Sequence, residues 1–275
     1  MKKVWFITGS SRGLGKSLTE AVLENGDLVA ATARNTAQLN DLVTKYGDNI
    51  LPVTLDVNDN TQIHKAVNDT LAKFGRIDVL VNNAGFGITG AAEAFSDEQV
   101  SNQFTTNLYA PIQITRAILP HMRKNRSGRI LQISSIGGRV ASIGLTMYQS
   151  AKFGLAGFSE ALAKEVAELG IKVTCVEPGG FRTDWAGDSM TYAREIEGYD
   201  AVSNRITNFK SGEFVFNGSP EKAAKAMLEL AEHPAPPVHL VLGSDAAGIL
   251  KKAFAERQAE FEQWLPVTLS TDYDK

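Results

Sequence analysis

Seven short apolar, β-branched runs, separated by segments of helical period, constrain what this chain can fold into. The runs are Val4–Thr8, Leu28–Thr32, Ile50–Leu55, Ile77–Val81, Arg129–Ser134, Lys172–Val176 and Val238–Leu242. They lack the polar alternation of a strand with one wet face, so both faces are expected to be covered. Amphipathic segments follow them at Leu14–Asn25, Ala37–Tyr46, Thr61–Phe74, Asp97–Lys124, Tyr148–Leu169, Pro220–Ala231 and Asp245–Trp264, several with capping residues such as Asp59, Ser96 and Ser219. Strand and helix in alternation make a parallel sheet, and right-handed crossovers place helices on both of its faces. The expected fold class is therefore α/β, a doubly wound seven-stranded parallel sheet. Pro111 falls inside Asp97–Lys124, which leaves either one kinked helix or two abutting ones.

No internal repeat, low-complexity tract or Pro-, Gly- and Ser-rich linker divides the chain, so residues 1–275 are read as a single domain. The least regular stretch is 185–217, from Trp185 to Asn217, and a long irregular segment in a compact domain reads as a substrate lid. It mixes Trp185, Met190, Tyr192, Tyr199 and Phe209 with Arg194, Glu195, Glu197 and Arg205, a lining that suits neither a purely apolar nor a purely charged ligand. A C-terminal extension occupies 245–275, where Leu250, Phe254 and Phe261 near helical spacing could cover the site or a partner.

Several function classes drop out. With a formal charge of −3 and scattered Lys and Arg, nothing resembles a phosphate-backbone footprint, and nucleic acid is not an expected partner. No stretch approaches eighteen uninterrupted apolar residues, so no membrane span is expected. The start, Met1-Lys2-Lys3, reaches Thr8-Gly9 before an apolar signal region could form, and a cytoplasmic location is expected. The lone Cys175, inside Val173–Val176, reads as a buried thiol rather than a redox centre. His64, His121, His233 and His239 are far apart without ligand spacing and read as surface or helix-end residues, and no metal is expected. No Gly-x-Ser-x-Gly elbow points to serine hydrolysis.

The first strand runs into Gly9-Ser10-Ser11-Arg12-Gly13-Leu14-Gly15 and then at once into a helical pattern. Glycines so placed let the backbone turn tightly and approach a pyrophosphate, while the helix start supplies aligned N–H donors. Gly9, Ser11, Arg12, Gly13, Leu14 and Gly15 are the expected contacts. At the end of the second strand, an acidic residue would grip a ribose 2′-hydroxyl; here the chain has Ala33 and then Arg34. Arg34 with Arg12 could clamp a 2′-phosphate, which favours NADP(H) over NAD(H). The competing reading makes Arg34 a solvated helix-start residue and Arg12 a surface cation.

Tyr148 and Lys152, at i and i+4, share a helix face, so the ammonium can stabilise a phenolate. Hydride transfer to a carbonyl leaves an alkoxide that needs a proton from a group within hydrogen-bond reach. Ser135, thirteen residues before Tyr148, could hold the same oxygen. Each residue alone also has an ordinary structural reading: Tyr148 as core aromatic, Lys152 as helix charge, Asn107 as helix-interior polar group.

Taken together, Thr8-Gly-x3-Gly-x-Gly15, Asp56, Asn82-Asn83-Ala84-Gly85, Asn107, Ser135, Tyr148-x3-Lys152 and Pro178-Gly179 with Thr183 fall in order at strand ends, and the chain resembles the short-chain dehydrogenase/reductase family from end to end. The resemblance implies a Rossmann-type sheet and an oxidoreductase acting on a small-molecule alcohol or carbonyl. It assigns Tyr148 as acid/base, Lys152 as its tuner and ribose anchor, Ser135 as substrate-oxygen partner in preference to Ser134, and Asn107 as anchor of a water relay. Asn83, Ala84 and Gly85 would let the backbone pass the cofactor ribose, Pro178 and Gly179 complete the cofactor site, and Thr183 would meet the carboxamide. Asp56, with Val57 beside it, would reach the adenine, or else cap the helix near Asp59. Gly137–Val140 and Leu145–Met147 are expected to wall the substrate site. The charged tail after Ser244-Asp245 and the lid resemble the branch of hydroxysteroid and retinol dehydrogenases and their bacterial relatives. A homodimer or homotetramer through Asp97–Lys124 and Tyr148–Leu169, with Phe153, Phe158 and Ala161 outward, is the implied assembly, although such a face could equally pack within its own chain. The rival from another class is a catalytically silent NADP(H)-binding regulator; such proteins typically lose the tyrosine or the lysine, and both stand here.

Overall fold

A computed structural model describes residues 2–183, 189–211 and 216–273. Seven strands form one parallel sheet: β1 (Val4–Ile7), β2 (Leu28–Ala33), β3 (Ile50–Thr54), β4 (Val79–Asn82), β6 (Gly128–Ile133), β7 (Ile171–Pro178) and β9 (His239–Leu242). Their order is β3-β2-β1-β4-β6-β7-β9, with every pairing parallel. The chain leaves β3 and crosses over β1 to begin β4. That reversal opens a crevice above the carboxyl ends of β1 and β4, where ligands bind in doubly wound sheets.

Strand alternation explains the two cores. Trp5 and Ile7 point to one face, where they pack with Leu18 and Val22 of α1 (Gly13–Glu24) and Met227 of α8 (Pro220–Glu232). Phe6 points to the other face, toward Ile63 of α3 (Asn60–Phe74), Ile114 and Ile118 of α5 (Ala110–Asn125) and Leu162 of α6 (Thr146–Glu165). Burial on both faces is why these strands read as unbroken apolar runs. A short helix, α2 (Asn40–Tyr46), links β2 to β3.

The question posed by Pro111 has a specific answer. Helix α4 (Asp97–Phe104), started by a Ser96–Gln99 capping box, passes into a π-helical turn at Thr105–Tyr109, and α5 follows directly with Pro111 as its second residue. Pro111 has no N–H to give to the carbonyl of Asn107, four residues earlier. The wide turn absorbs that missing bond and carries Asn107 on its inner side.

The stretch read as irregular contains regular structure. A two-stranded parallel ribbon pairs β5 (Gly87–Thr89) with β8 (Met190–Tyr192), and α7 spans Asp200–Ser211. Val202, Ile206 and Phe209 are the buried face of α7; three apolar points in a polar context are too few to announce a helix by period. Trp185, within 184–188, and residues 212–215 lie outside the described residues. The last helix, α9 (Ser244–Leu269), runs five residues past the expected Trp264. Only Ala246 and Ala253 in it are buried, while Phe254, Phe261 and Trp264 are exposed.

Candidate active site

The phosphate end is built almost wholly from backbone. Gly9 and Gly13 have positive φ of 67° and 56°, a conformation that costs glycine little. Gly15 faces a harder limit, because a Cβ there would overlap the Gly9 carbonyl and the Asn83 amide. The loop is tied to β4 by Thr8, whose Oγ1 accepts from the N–H groups of Asn83 at 2.9 Å and Ala84 at 3.0 Å. In return Asn83 Nδ2 donates to the carbonyls of Thr8 at 2.8 Å and Gly9 at 3.1 Å. The Asn83 side chain therefore shapes the loop. Arg12 precedes α1 without capping it, and no acidic side chain occupies its first turn. The first N–H groups of α1 thus face the crevice with the positive end of the helix dipole, which suits a pyrophosphate. Arg12 and Arg34, both exposed, line the same cavity beside Ala33, and neither makes an ion pair among the described residues.

Asp56 and Val57 line the cavity beyond β3. Asp59 caps α3, accepting from Thr61 N at 2.8 Å and Gln62 N at 3.1 Å. Asp56 instead accepts from Asn58 N at 3.0 Å, so the capping alternative belongs to Asp59. Ala84, Gly85, Pro178, Gly179 and Thr183 complete this wall, and Thr183 sits against Gly13. The cavity continues past Tyr148 to α7, enclosing about 1030 Å³, a volume of the order of known ligand pockets.

Four polar groups meet at its middle. Tyr148 and Lys152 project from α6 and are almost fully buried. Burial pushes the Tyr148 phenol up to about 12, and its hydrogen bond with Ser135 acts in the opposite direction. Burial lowers Lys152 to about 8. Its Nζ donates to the Ile133 carbonyl at 2.8 Å and lies 5.9 Å from the Tyr148 ring centroid. Ser135, at the end of β6, turns its Oγ to accept from Gly137 N at 3.0 Å. The neighbouring Ser134 points elsewhere, donating to the Lys152 carbonyl at 3.2 Å from a buried position. Asn107 Nδ2 donates to the carbonyls of Phe86 at 3.1 Å and Gln103 at 3.3 Å, while its buried Oδ1 has no partner. A Cβ on Gly85 would come within 2.6 Å of that Oδ1 and 3.8 Å of Lys152 Nζ, so Asn107 and Lys152 approach one another across Gly85.

Other residues differ from the sequence reading. Gly137, Val140 and Leu145 line the cavity, but Gly138, Arg139, Thr146 and Met147 do not. Arg139 turns away to pair with the fully buried Glu177 at 3.2 Å, and its guanidinium lies 5.5 Å from the Phe254 ring centroid. His239, expected at the surface, sits half-buried on β9 with Nδ1 2.7 Å from Glu177 Oε1, because β7–β9 pairing sets it opposite Cys175. Cys175, Glu177 and His239 are the described residues that could together hold a metal. Glu177 is, however, already shared by Arg139 and His239, and burial, followed by the Glu177 charge, pushes the Cys175 thiol up to about 12, keeping it protonated. Phe158 packs partly against the core, whereas Phe153 and Ala161 are exposed.

Three contributors have no strong sequence signal. Gln149 braces the wall loop through Ser142 N at 2.9 Å and the Val140 carbonyl at 3.0 Å. Asp245 accepts from Gly180 N at 2.8 Å, so the unusual Ser244-Asp245 turn holds the Pro178-Gly179-Gly180 bend in place. Arg205 of α7 enters the cavity from the lid side. Only the position of Gln149, next to Tyr148 in sequence, could have drawn notice.

Known proteins are similar to this chain along most of its length. The family model described as short chain dehydrogenase matches residues 3–192. The oxidoreductase BOA17 of Botryotinia fuckeliana is 45% identical over 275 residues, covering 98% of this chain and 100% of its own. Among solved structures, a short-chain dehydrogenase from Streptomyces avermitilis superposes with a TM-score of 0.94 at 38% identity, covering 99% of this chain and 100% of its own. ElxO, solved with NADP bound, gives a TM-score of 0.76 at 28% identity, covering 90% and 100%. These names do not carry the narrower hydroxysteroid and retinol branch. Matched by that family model over residues 3–192 and by a relative 45% identical along nearly its whole length, this chain belongs to the short-chain dehydrogenase family.

Proposed function

We propose that the chain is an NADP(H)-dependent oxidoreductase that reduces a ketone or aldehyde, or oxidises the corresponding secondary alcohol, with Tyr148 as acid/base. The observation that carries this reading is the buried phenol of Tyr148, hydrogen-bonded to Ser135 and followed one helical turn later by Lys152, facing a cavity continuous with the glycine loop. A bound nicotinamide dinucleotide supplies or accepts the hydride. Gly9, Ser11, Arg12, Gly13, Leu14 and Gly15 would hold its pyrophosphate, Asp56 and Val57 its adenine, Asn83, Ala84 and Gly85 its ribose, and Pro178, Gly179 and Thr183 its carboxamide end. Arg12 and Arg34 line the cavity beside Ala33, where an acidic residue would otherwise end β2, and two cations there would suit a 2′-phosphate, which supports NADP(H) over NAD(H).

The chain's own part is proton handling. Tyr148, a phenol that is protonated at neutral pH and that burial holds more firmly so, gives its proton to the developing alkoxide, and Ser135 donates a hydrogen bond to the same oxygen. Lys152 holds positive charge beside the phenolate left behind and lowers the cost of forming it. The unpartnered Oδ1 of Asn107 offers an acceptor for a water-borne proton path that recharges Lys152. The substrate lid is assigned to 185–217 within one catalytic domain, and a homodimer or homotetramer through Asp97–Lys124 and Tyr148–Leu169 fits the exposed Tyr109 of the π turn and Phe153 of α6.

The deciding experiment is a calorimetric titration with NADPH and NADH, followed by a carbonyl panel read by nicotinamide absorbance. Tight NADPH binding with turnover is expected. Tight binding with no turnover across the panel would favour the silent regulator, and binding of neither nucleotide would overturn the proposal.

A further inference from the structure

Among the described residues, the substrate half of the cavity contains one charged side chain with neither an ion pair nor a hydrogen bond at its buried donor. Of the charged residues lining the cavity, Arg12, Arg34 and Asp56 stand at the nucleotide end, Lys152 is bonded to the Ile133 carbonyl, and Asp245 is bonded to Gly180 N. Arg205 remains. It lies on α7, held from below by the buried Val202, Ile206 and Phe209. Its Cδ would stand 3.5 Å from a Cβ at Gly144, and its guanidinium carbon is 5.2 Å from the Phe209 ring centroid. The stem is thus fixed against the wall loop and one face of the guanidinium is covered. Its Nε is buried without a hydrogen-bond partner, and no carboxylate pairs with it among the described residues. The contrast on the same helix is Lys210, which faces outward to Glu195 at 3.8 Å.

A half-buried guanidinium with an idle donor is costly until an acceptor reaches it. Its planar fork matches a carboxylate better than any neutral group. We propose that Arg205 is the anion-recognition residue of the substrate site, and that the substrate is a carbonyl compound carrying a carboxylate at the end away from the reacting carbon. This rests on the oxidoreductase reading: Tyr148 and Ser135 take the carbonyl oxygen, and Arg205 takes the anionic end across the cavity. Burial lowers the Arg205 pKa with no acidic neighbour to oppose it, the state that an incoming anion relieves.

The test compares NADPH-dependent reduction of levulinate and longer oxo-acids with that of their methyl esters. Wild-type protein is expected to favour the acid over the ester of the best chain length by about 10- to 100-fold in kcat/KM, the range for a charge-assisted hydrogen-bonded pair. Arg205→Met should collapse that ratio toward one, mainly through KM, and Arg205→Lys should retain part of it. A merely structural Arg205 would lower acid and ester together and leave the ratio intact, which would overturn the proposal, as would a wild-type ratio near one. If no oxo compound is turned over, the NADPH complex is titrated calorimetrically with hexanoate. Saturable binding lost in Arg205→Met keeps the anion site while removing the reductase reading; no binding to wild type removes the anion site itself.

Discussion

The two ends of the cavity are made of different material. The nucleotide end is backbone: strand ends, positive-φ glycines and an uncapped helix start, locked by Thr8 and Asn83. The substrate end is side chain, gathered from the wall loop at Val140–Leu145, the β5–β8 ribbon and α7. Backbone sites demand particular residues at particular positions, since a Cβ in the wrong place meets a carbonyl that cannot move. Side-chain walls accept many solutions, which is how one scaffold can keep its cofactor and change its substrate.

The sharpest probe acts where the halves meet. Tyr148→Phe is expected to lower kcat/KM for carbonyl reduction by about 10³-fold, within the range for a lost general acid, with NADPH affinity nearly unchanged by calorimetry. A variant that turned over normally would remove Tyr148 from proton transfer. Arg34→Asp should shift the NADPH-to-NADH preference by about 100-fold, through loss of a charge-assisted bond and gain of repulsion. An unchanged preference in a nucleotide competition assay would place discrimination elsewhere in the backbone-built half. Gly15→Ala should destabilise the fold by about 1–3 kcal/mol by overpacking, read from the urea midpoint, together with weaker NADPH binding. Phe209→Ala should do the reverse, raising KM for the carbonyl several-fold while sparing NADPH affinity; equal losses of both would show that the halves are not separable.

The smallest effect is one of pH. Lys152 is depressed to about 8 in the fold, so between about 8 and the ordinary lysine value of 10.5 the unfolded chain carries a proton that the folded chain has released. Stability therefore gains from Lys152 as pH rises through that window, and the gain is gone once pH falls below about 8. Tyr148 is raised from 10.0 to about 12, so its contribution holds below 10 and fades above it. In the absence of nucleotide, wild-type urea midpoints should rise between about pH 8 and pH 10 and Lys152→Met should remove that rise; parallel curves would mean that Lys152 is not depressed.

Legibility in the sequence follows the same division. Gly9, Gly13 and Gly15 could be placed because a tight loop after the first strand needs positive φ at the first two and leaves no room for a Cβ at the third. Tyr148 and Lys152 could be placed because i and i+4 share a helix face. Arg205 could not, since its meaning depends on α7 folding across a cavity that other segments enclose. Nor could Arg139, which the wall-loop reading put in the site and the fold turns toward Glu177.

What the sequence determined by itself was the doubly wound parallel sheet, the glycine loop after β1 and the placing of Tyr148 and Lys152 on one helix face, because each rests on local period or local backbone geometry. Tertiary structure alone decided that Pro111 leaves a π turn presenting Asn107, that Asp245 braces the Pro178–Gly180 bend, and that 200–211 is a helix whose Arg205 Nε has no hydrogen-bond partner among the described residues. Those are contacts between residues far apart in the chain, and no local pattern records which distant group a side chain will meet.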